Sequence, residues 1–358
     1  MLDWIYNSPF EDPAAIARWG TLLVCSATLI VLALTIEFRL RRNMADRRLA
    51  RLSERWLDLM AGAAASDEAA RLLPLPRIAR ADKEPLMRLW IEMRSNVEGA
   101  AATRLKVLAD RLSLQAFARK CLRRRSLSTR LLGLHCLGHF GDKATWAWVE
   151  PELNSENTAV SISAAAALAS IDPERGIERI VAMLTDRRDW PRTQVMQILH
   201  AAGAECIGEP LYRKIRSATD EEAAFLLPFA RLAEYEVRDT LAAEILRSRS
   251  NPELLSAALK TVSGLTRVPR LDTMACHNAW HVRMQAAGAL GRVGAESGLP
   301  LLKRLLADPE WWVRYRAAQS IVSLPFLDGE KIRELQQQQS DPFANAMLDQ
   351  ALAEAIAA

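Results

Sequence analysis

Apolar positions recur along much of the chain with a period of 31 residues. The phrase at residues 280–290 returns at residues 311–321, and within each copy the apolar residues lie three or four positions apart. This spacing places them on one face of an α-helix. The same period relates a series of earlier apolar residues: Leu137, Leu168 and Leu199. A repeat of this length is typical of helix pairs that stack into a solenoid.

The repeat is interrupted once. Leu199 and Leu259 are 60 residues apart, close to two periods, which predicts a degenerate unit at residues 223–232. No segment of the repeat alternates with the period of two that a strand requires. We therefore expect an all-α fold, an α-solenoid of about seven helix pairs. Proline suits the first helical turn after an Asp or Asn cap, so helix starts are expected at four dipeptides: Asp172-Pro173, Asn251-Pro252, Asp308-Pro309 and Asp341-Pro342.

An apolar run near the N-terminus predicts a membrane anchor. Residues 19–36 carry no charge over 18 positions, about the length that crosses a hydrocarbon core. A buried helix of a soluble protein is the alternative. Arginines follow the run, and such a bias holds that side of a span in the cytoplasm: Arg39, Arg41, Arg42, Arg47, Arg48 and Arg51. We expect a single-pass protein of the bacterial inner membrane, with its N-terminus outside and its solenoid in the cytoplasm.

These patterns divide the chain into six predicted segments. Residues 37–63 form an amphipathic helix beside the membrane; its apolar stripe is expected either to meet lipid headgroups or to pack on the first repeat or a second copy. Prolines and mixed charge mark a linker at residues 64–85. The segments are 1–18 (a short periplasmic segment), 19–36 (the transmembrane helix), 37–63, 64–85, 86–325 (the solenoid) and 326–358 (C-terminal capping helices).

The repeated phrase resembles the HEAT-repeat family, particularly its short bacterial version. The matching residues are Asp308-Pro309 at the turn, Val313-Arg314 and Ala317-Ala318 in the second helix, and Leu290-Gly291 with Gly294 at a helix end. The resemblance covers roughly residues 100–324. It implies HEAT-like helix pairs, and it implies that a turn aspartate and a helix arginine bond between neighbouring repeats. The aspartates that fit this pattern precede an arginine by six residues: Asp186 before Arg192 and Asp308 before Arg314, whereas Arg283 and Arg130 have no aspartate at that distance. The arginine column consists of Arg130, Arg192, Arg283 and Arg314.

Composition restricts the partners and the compartment. The chain has 47 basic and 43 acidic residues, and its net charge of +4 is too small to require a polyanionic partner. Its five cysteines show no CxxC spacing, which favours free thiols in a reducing compartment over a disulfide framework.

A polar stripe on the repeat helices is the candidate binding surface. Positions five before, two before and two after each repeat leucine lie on one side of the helix, because their spacings are three and four. Solenoids present such a stripe on a concave surface, although simple solvation is the alternative. The predicted partner-binding residues are His135, His139, Gln194, Gln197, Gln285, Arg292, Arg316 and Gln319.

Other candidate chemistry is weaker. His135 and His139 have a spacing that can hold a metal, but no third ligand is in register, so no metal or cofactor is expected. Tryptophans at the predicted starts of second helices could form a ridge for a partner or close the turns over the core: Trp190, Trp280, Trp311 and Trp312. The basic run at residues 119–130 is a second candidate surface.

The predicted function follows from the architecture and the location. No nucleophile elbow, P-loop or HExxH motif is present, so we expect a non-catalytic, membrane-anchored HEAT-repeat scaffold or adaptor that binds a cytoplasmic protein partner. An envelope or exopolysaccharide synthesis complex is a candidate setting. The alternative is a HEAT-like enzyme or binder that acts on DNA or a tetrapyrrole. Nucleic acid is not the expected partner, and the oligomeric state stays open.

Overall fold

The computed structural model describes residues 13–266, 268–339 and 341–357. Within these ranges the regular elements are helices, and no strand is found. The chain forms two compact units, Met1–Ala118 and Arg119–Ala358. The predicted all-α class is therefore confirmed for the described residues.

The first unit consists of a long helix and the short helices that follow it. Its helices are α1 (Pro13–Ala65), α2 (Asp67–Leu72), α3 (Lys83–Ser95) and α4 (Gly99–Arg111), with a 3-10 turn at Arg80–Asp82. The next helix, α5 (Leu114–Leu122), begins in this unit and ends in the second. Helix α1 packs against α2, α3 and α4. Its buried residues Trp56, Met60 and Ala63 are spaced by three and four, so they lie on one helical face. The apolar stripe in the later part of α1 thus packs within the first unit.

The membrane prediction is not upheld. Residues 19–36 lie within α1, but no helix in the described part of the chain is long and apolar enough to cross a membrane. A spanning helix needs about 20 consecutive apolar residues. The charge-free run has 18 and includes hydroxyl side chains, of which Ser26 and Thr35 donate to the carbonyls of Leu23 and Val31. The predicted transmembrane helix and single-pass inner-membrane location are contradicted by this finding. Most of the predicted periplasmic segment, residues 1–12, lies outside the described residues.

The second unit is a row of helix pairs. Its helices are α6 (Leu127–Phe140), α7 (Trp146–Val149), α8 (Thr158–Ile171), α9 (Pro173–Met183), α10 (Arg192–Ala202), α11 (Ala204–Ser217), α12 (Asp220–Ala230), α13 (Tyr235–Ser248), α14 (Pro252–Thr261), α15 (Leu271–Ala275), α16 (Trp280–Val293), α17 (Leu299–Leu306), α18 (Trp311–Val322), α19 (Gly329–Gln338) and α20 (Pro342–Ala357). Short 3-10 turns lie at Lys143–Thr145, Glu150–Asn154 and Glu296–Gly298.

The helices that carry the repeat form one layer of this unit together with the degenerate α12 and the C-terminal α20. We call α6, α8, α10, α12, α14, α16, α18 and α20 the inner helices. Helix α8 packs on α6 and α10, α14 packs on α12 and α16, and α18 packs on α16 and α20. Helices α9, α11 and α13 form a second layer. This arrangement confirms the predicted repeat-like solenoid.

The period of 31 residues corresponds to a column of buried side chains. The repeat positions are all buried: Leu137, Leu168, Leu199, Leu259, Leu290 and Ile321. Helix α12 occupies the place predicted for the degenerate unit between Leu199 and Leu259. Helices α9, α14 and α20 begin at the expected prolines. Helix α18 begins two residues after Pro309, at Trp311, because Asp308 and Pro309 belong to the turn before it.

A buried ion pair links two neighbouring repeats. The guanidinium of Arg283 on α16 donates to both carboxylate oxygens of Asp308, at 2.7 and 2.8 Å. The two side chains are 14% and 6% exposed. Arg283 also donates to the carbonyls of His277 and Asn278 in the turn before its own helix, both at 2.9 Å. It therefore closes one turn and holds the next. The bond between neighbouring repeats is of the kind that the family resemblance implies, but Asp308 pairs with Arg283 of the preceding inner helix and not with Arg314, six residues after it.

The other positions of the arginine column differ from this arrangement. Arg314 closes its own turn by donating to the carbonyls of Asp308 and Pro309. Arg130 pairs with Glu152 at 2.5 Å, and Arg192 lies over the ring of Phe229.

In the repeat that contains Arg192, another arginine reaches the preceding repeat. Arg187 donates to the carbonyls of Leu153 and Ser155, and its ion pair with Asp189 lowers the pKa of that carboxyl to about 2. The arginine column is thus only partly regular.

Replacing Asp308 by Asn tests the link between the repeats. Burial alone raises the pKa of Asp308, but the hydrogen bonds from Arg283 and from the Glu310 amide outweigh it and lower the pKa. A carboxyl with a lowered folded-state pKa stabilises the fold above its unfolded value, near 3.9, and loses that effect as the pH falls through the folded value. We expect Asp308→Asn to reduce the free energy of unfolding by about 3 kcal/mol at neutral pH.

Urea denaturation across a pH series measures this difference. The gap between wild type and variant should shrink as the pH falls below about 4. The matched control is Glu178→Gln, which removes an exposed partner of Arg213 and should cost less than about 1 kcal/mol. Equal losses from the two variants would contradict the structural role of Asp308.

Replacing Ala317 by Glu tests the packing of the inner helices. Ala317 is fully buried on α18, so a glutamate there would place an unpaired charge between helices. We expect a loss of several kcal/mol in the free energy of unfolding. Thermal melting compares it with Ala353→Glu, an exposed position on α20, which should melt close to wild type. A melting temperature of Ala317→Glu equal to that of Ala353→Glu would show that this column is not core.

Candidate functional site

Two open pockets lie on the inner helices of the second unit. The first, which we call the early groove, has a volume of about 960 Å³ and lies along α6, α8 and α10. The second, which we call the late pocket, has a volume of about 630 Å³ and lies along α16, α18 and α20. Residues of the predicted polar stripe line both.

The early groove exists because α8 carries small side chains on one side. Ala159, Ser163, Ala166 and Ser170 follow one another at three- and four-residue steps and line the groove. Their size leaves room between α6 and α10. The predicted residues on the walls are His135, Gln194 and Gln197.

His135 stands on the α6 wall of this groove. The pKa of its imidazole is lowered because the surrounding protein partly removes water from the ring, although the residue as a whole remains exposed. The lowered pKa favours the neutral imidazole, which can both donate and accept a hydrogen bond. The early groove offers neutral polar groups over a largely apolar floor.

Two glycines on α16 allow the late pocket to form. A Cβ on Gly288 would lie 2.8 Å from Nε of Arg316, so the guanidinium of Arg316 lies directly over this glycine. A Cβ on Gly291 would lie 2.7 Å from the Cβ of Ser320, where α18 comes close to α16. Gly294, with φ +64°, ends α16 in the left-handed conformation. The glycine-rich sequence at residues 288–294 therefore serves helix packing.

A hydrogen-bonded chain of side chains crosses the late pocket from α18 to α20. Arg316 donates to Oε1 of Gln319 at 3.2 Å, and Nε2 of Gln319 is 3.4 Å from the carboxylate of Glu354. Glu354 also accepts from the hydroxyl of Tyr315 at 2.6 Å and from Gln350 at 3.0 Å. The Tyr315 bond is the main cause of the lowered pKa of Glu354. Gln319 thus stands between a fixed cation and a fixed anion.

Arg292 has a structural role in addition to its place in the late pocket. It donates to the carbonyls of Val262 and Leu259, at 2.8 and 2.6 Å, at the C-terminal end of α14. A cation is favourable at that end of a helix. The pKa of Arg292 is lowered to about 10, first because the protein removes water from the guanidinium, although the residue is exposed overall. The like charges of Arg316, Arg231 and Arg238 lower it further.

The structure divides the eight predicted partner-binding residues into three groups. His135, Gln194 and Gln197 line the early groove, and Arg292, Arg316 and Gln319 line the late pocket. His139 and Gln285 are among the lining residues of neither. The partner-binding role of all eight stays a prediction. In the described ranges, no group of three or more His, Cys, Asp or Glu residues is placed to hold a metal ion.

The tryptophans at the helix starts separate into two kinds. Trp190 is buried and donates to the hydroxyl of Ser161 at 2.9 Å, so it belongs to the core. Trp280, Trp311 and Trp312 are 39%, 38% and 54% exposed. Trp311 stacks on Tyr315 with ring centroids 5.0 Å apart and meets Trp312 edge-on at 4.7 Å. We call Trp311, Trp312 and Tyr315 the aromatic ridge; it begins α18 and adjoins the late pocket through the Tyr315–Glu354 bond.

Sequence reasoning missed Glu354 and Tyr315 as members of the site. Both lie outside the three stripe positions, and Glu354 belongs to the C-terminal helix, where the repeat is lost.

The basic run at residues 119–130 is partly used inside the fold, because Arg119 lies over the ring of Trp148 and Arg130 pairs with Glu152. Its remaining arginines, Arg123 to Arg125, are exposed.

Comparisons with known proteins bear on the architecture. Residues 224–322 match the family model for HEAT repeats. This range contains α14, α16 and the Arg283–Asp308 pair, and it ends with α18. No curated protein sequence matches the chain.

Among solved structures, an engineered protein is similar at 15% identity, with 86% of this chain and 97% of that chain covered and a TM-score of 0.35. Human deoxyhypusine hydroxylase in complex with glycerol is similar at 15% identity, covering 77% and 98% of the two chains with a TM-score of 0.21. Neither similarity supports an inference about activity.

The two glycines of the late pocket should respond differently to alanine. Ala is favoured over Gly in a helix by about 1 kcal/mol, and at Gly288 the three atoms nearest to the added Cβ all belong to the guanidinium of Arg316, which can be displaced without moving the backbone. We expect Gly288→Ala to leave the free energy of unfolding unchanged or slightly raised. At Gly291 the added Cβ meets the Cβ and backbone of Ser320, so Gly291→Ala should be destabilising despite the helix preference. Urea denaturation of both variants measures the contrast, and equal stabilities would argue against the close approach of α16 and α18.

Proposed function

We propose that this chain is a non-catalytic helical-repeat scaffold that binds a protein partner along the inner helices of its second unit. The observation that carries the proposal is the position of the predicted stripe: six of its eight residues line two open pockets on one layer of a solenoid. The match of residues 224–322 to HEAT repeats supports the same interpretation. Helical repeats of this kind offer extended surfaces for binding.

The two pockets suit different parts of a partner. The early groove has small, mainly apolar residues with neutral polar groups at its edges, which suits an extended segment held by hydrogen bonds. The late pocket carries charge and adjoins exposed aromatic rings. Trp, Tyr and Arg are the residue types that most often dominate binding energy at protein interfaces. The late pocket is therefore the proposed centre of affinity.

The proposed function keeps the protein partner expected from the sequence but omits the membrane anchor and the biosynthetic setting. The setting in an envelope or exopolysaccharide synthesis complex depended on the membrane anchor, and nothing in the fold supports it. No observation on the described residues favours DNA or a tetrapyrrole as the ligand. The proposal accordingly names a protein partner and an interaction surface, without a pathway.

Site-specific photo-cross-linking tests the surface. A benzophenone amino acid is placed in the full-length chain at Gln194 for the early groove and at Ser323 for the late pocket, and the cells that make the protein are irradiated. The matched control is Glu178, which is exposed on α9 in the other layer. We expect Gln194 and Ser323 to capture a protein that Glu178 does not capture.

A benzophenone at a fourth position tests the competing surface, the basic run at residues 119–130. Arg124 is exposed in the basic run, and capture from Arg124 without capture from Gln194 or Ser323 would overturn the proposal. Equal capture from Glu178 would show that the cross-links are non-specific. The identity of the captured chain is read by mass spectrometry of the cross-linked peptide, which also gives its point of contact.

A further inference from the structure

We propose that the late pocket binds a single carboxylate from an acidic segment of the partner, while the aromatic ridge packs against an apolar side chain next to that carboxylate. This inference rests on the proposed function and specifies the chemistry of the partner. It is carried by the charges of the pocket, by the fixed position of Arg316 and by the exposed rings beside it.

The late pocket carries one positive charge that no anion among its described neighbours balances. Its charged lining residues are Arg292, Arg316 and Glu354, which gives a net charge of +1. In the part of the chain that the structure describes, neither arginine forms an ion pair. Glu354 is already engaged by Tyr315 and Gln350. One carboxylate would neutralise the pocket, whereas a doubly charged phosphate would overshoot it and face Glu354.

The two guanidinium groups are close enough to influence each other. The charge of Arg316 is one of the causes that depress the pKa of Arg292, after the loss of water around Arg292 itself. An anion bound between them would offset this repulsion. Hydrogen bonds from a guanidinium to a carboxylate are also roughly twice as strong as those between neutral groups.

Arg316 is held in place before any ligand binds. Gly288 provides the space beneath its guanidinium, and Gln319 accepts a hydrogen bond from one of its nitrogens. A side chain already fixed in its binding geometry loses less conformational freedom on association. Arg316 is therefore the residue on which we expect recognition of the carboxylate to depend most.

The aromatic ridge adds an apolar requirement at a fixed place. Trp311 and Tyr315 stack with an interplanar angle of 14°, and Trp312 is the most exposed of the three tryptophans at these helix starts. Tyr315 donates to Glu354, a wall of the late pocket, so the ridge and the pocket share one boundary. A partner that reaches Arg316 with a carboxylate would place its neighbouring residues over these rings.

Peptide selection on the full-length chain tests this inference. Random linear peptides displayed on phage are panned on the wild type, with Arg316→Gln as the counter-selecting protein. We expect the enriched peptides to contain Asp or Glu next to an aromatic or large aliphatic residue. In fluorescence polarisation, the synthetic peptides should bind Arg316→Gln and Trp312→Ala at least about tenfold more weakly than wild type. The matched control is Arg213→Gln, an exposed arginine on α11, which should bind like wild type.

A double-mutant cycle then isolates the carboxylate contact. Changing the acid of the peptide to its amide should weaken binding to wild type but have little further effect on Arg316→Gln, because the two changes remove the same interaction. Melting temperatures of the variants confirm that each remains folded. Additive losses, peptides without acidic residues, or a panning that yields no binder weakened by Arg316→Gln would each overturn the inference.

The cross-linking result distinguishes a failure of the inferred carboxylate chemistry from a failure of the proposed binding surface. Capture from Ser323 together with peptides that show no acid dependence would leave the binding surface in place and remove only the inferred chemistry. Absence of capture from both Ser323 and Gln194 would remove the surface itself, whatever the peptides contain.

Discussion

The second unit depends on the fact that no helix pair can bury its apolar face alone. Helix α8 packs on α6 and α10, and from α12 to α20 each inner helix packs on the next one, so the buried residues from Leu137 to Ile321 form a column only when the pairs are stacked. Small residues such as Ala286 and Ala317 let the helices approach closely. Stability in such an array is approximately the sum of each repeat and its contacts with its neighbours. A change in one repeat therefore acts mainly on the adjacent interface.

Polar contacts between the repeats determine how one helix pair is placed on the next. Arg283 closes the turn before its own helix and also holds Asp308 of the next repeat, so one guanidinium links two neighbouring repeats. Elsewhere the same task falls to other residues: Arg187 reaches back to the turn after Leu153, and Arg292 reaches the end of α14. Because these contacts are partly buried and geometrically specific, they determine how one pair sits on the next. That placement determines the shape of the spaces between the inner helices.

The two pockets follow from side-chain size at the points where this packing leaves gaps. Small residues on α8 open the early groove, and Gly288 and Gly291 open the late pocket. Gly291 brings α16 and α18 together, and Gly288, one turn earlier on the same helix, gives Arg316 its position, so helix packing and the candidate binding chemistry depend on neighbouring residues. Arg292 illustrates the consequence, because it serves both a helix end and the pocket. A substitution there would change stability and binding together, whereas Arg316 and Trp312 separate the two effects better.

The sequence by itself determined the helical class, the repeat, the degenerate unit at α12 and the core column, because a period of 31 with steps of three and four is a local property of the chain. It also identified the polar stripe that contributes six residues to the two pockets. The tertiary structure decided which side chains are exposed and which partners they contact. It buried Trp190 and left Trp311 and Trp312 exposed, although all three occupy helix starts. It placed Arg292 in hydrogen-bonding contact with the end of α14. It also placed Glu354, from a helix outside the repeat, next to Gln319 and Tyr315. Exposure and partnership depend on what the neighbouring repeat places opposite a residue, and that information is not contained in the spacing of any single helix.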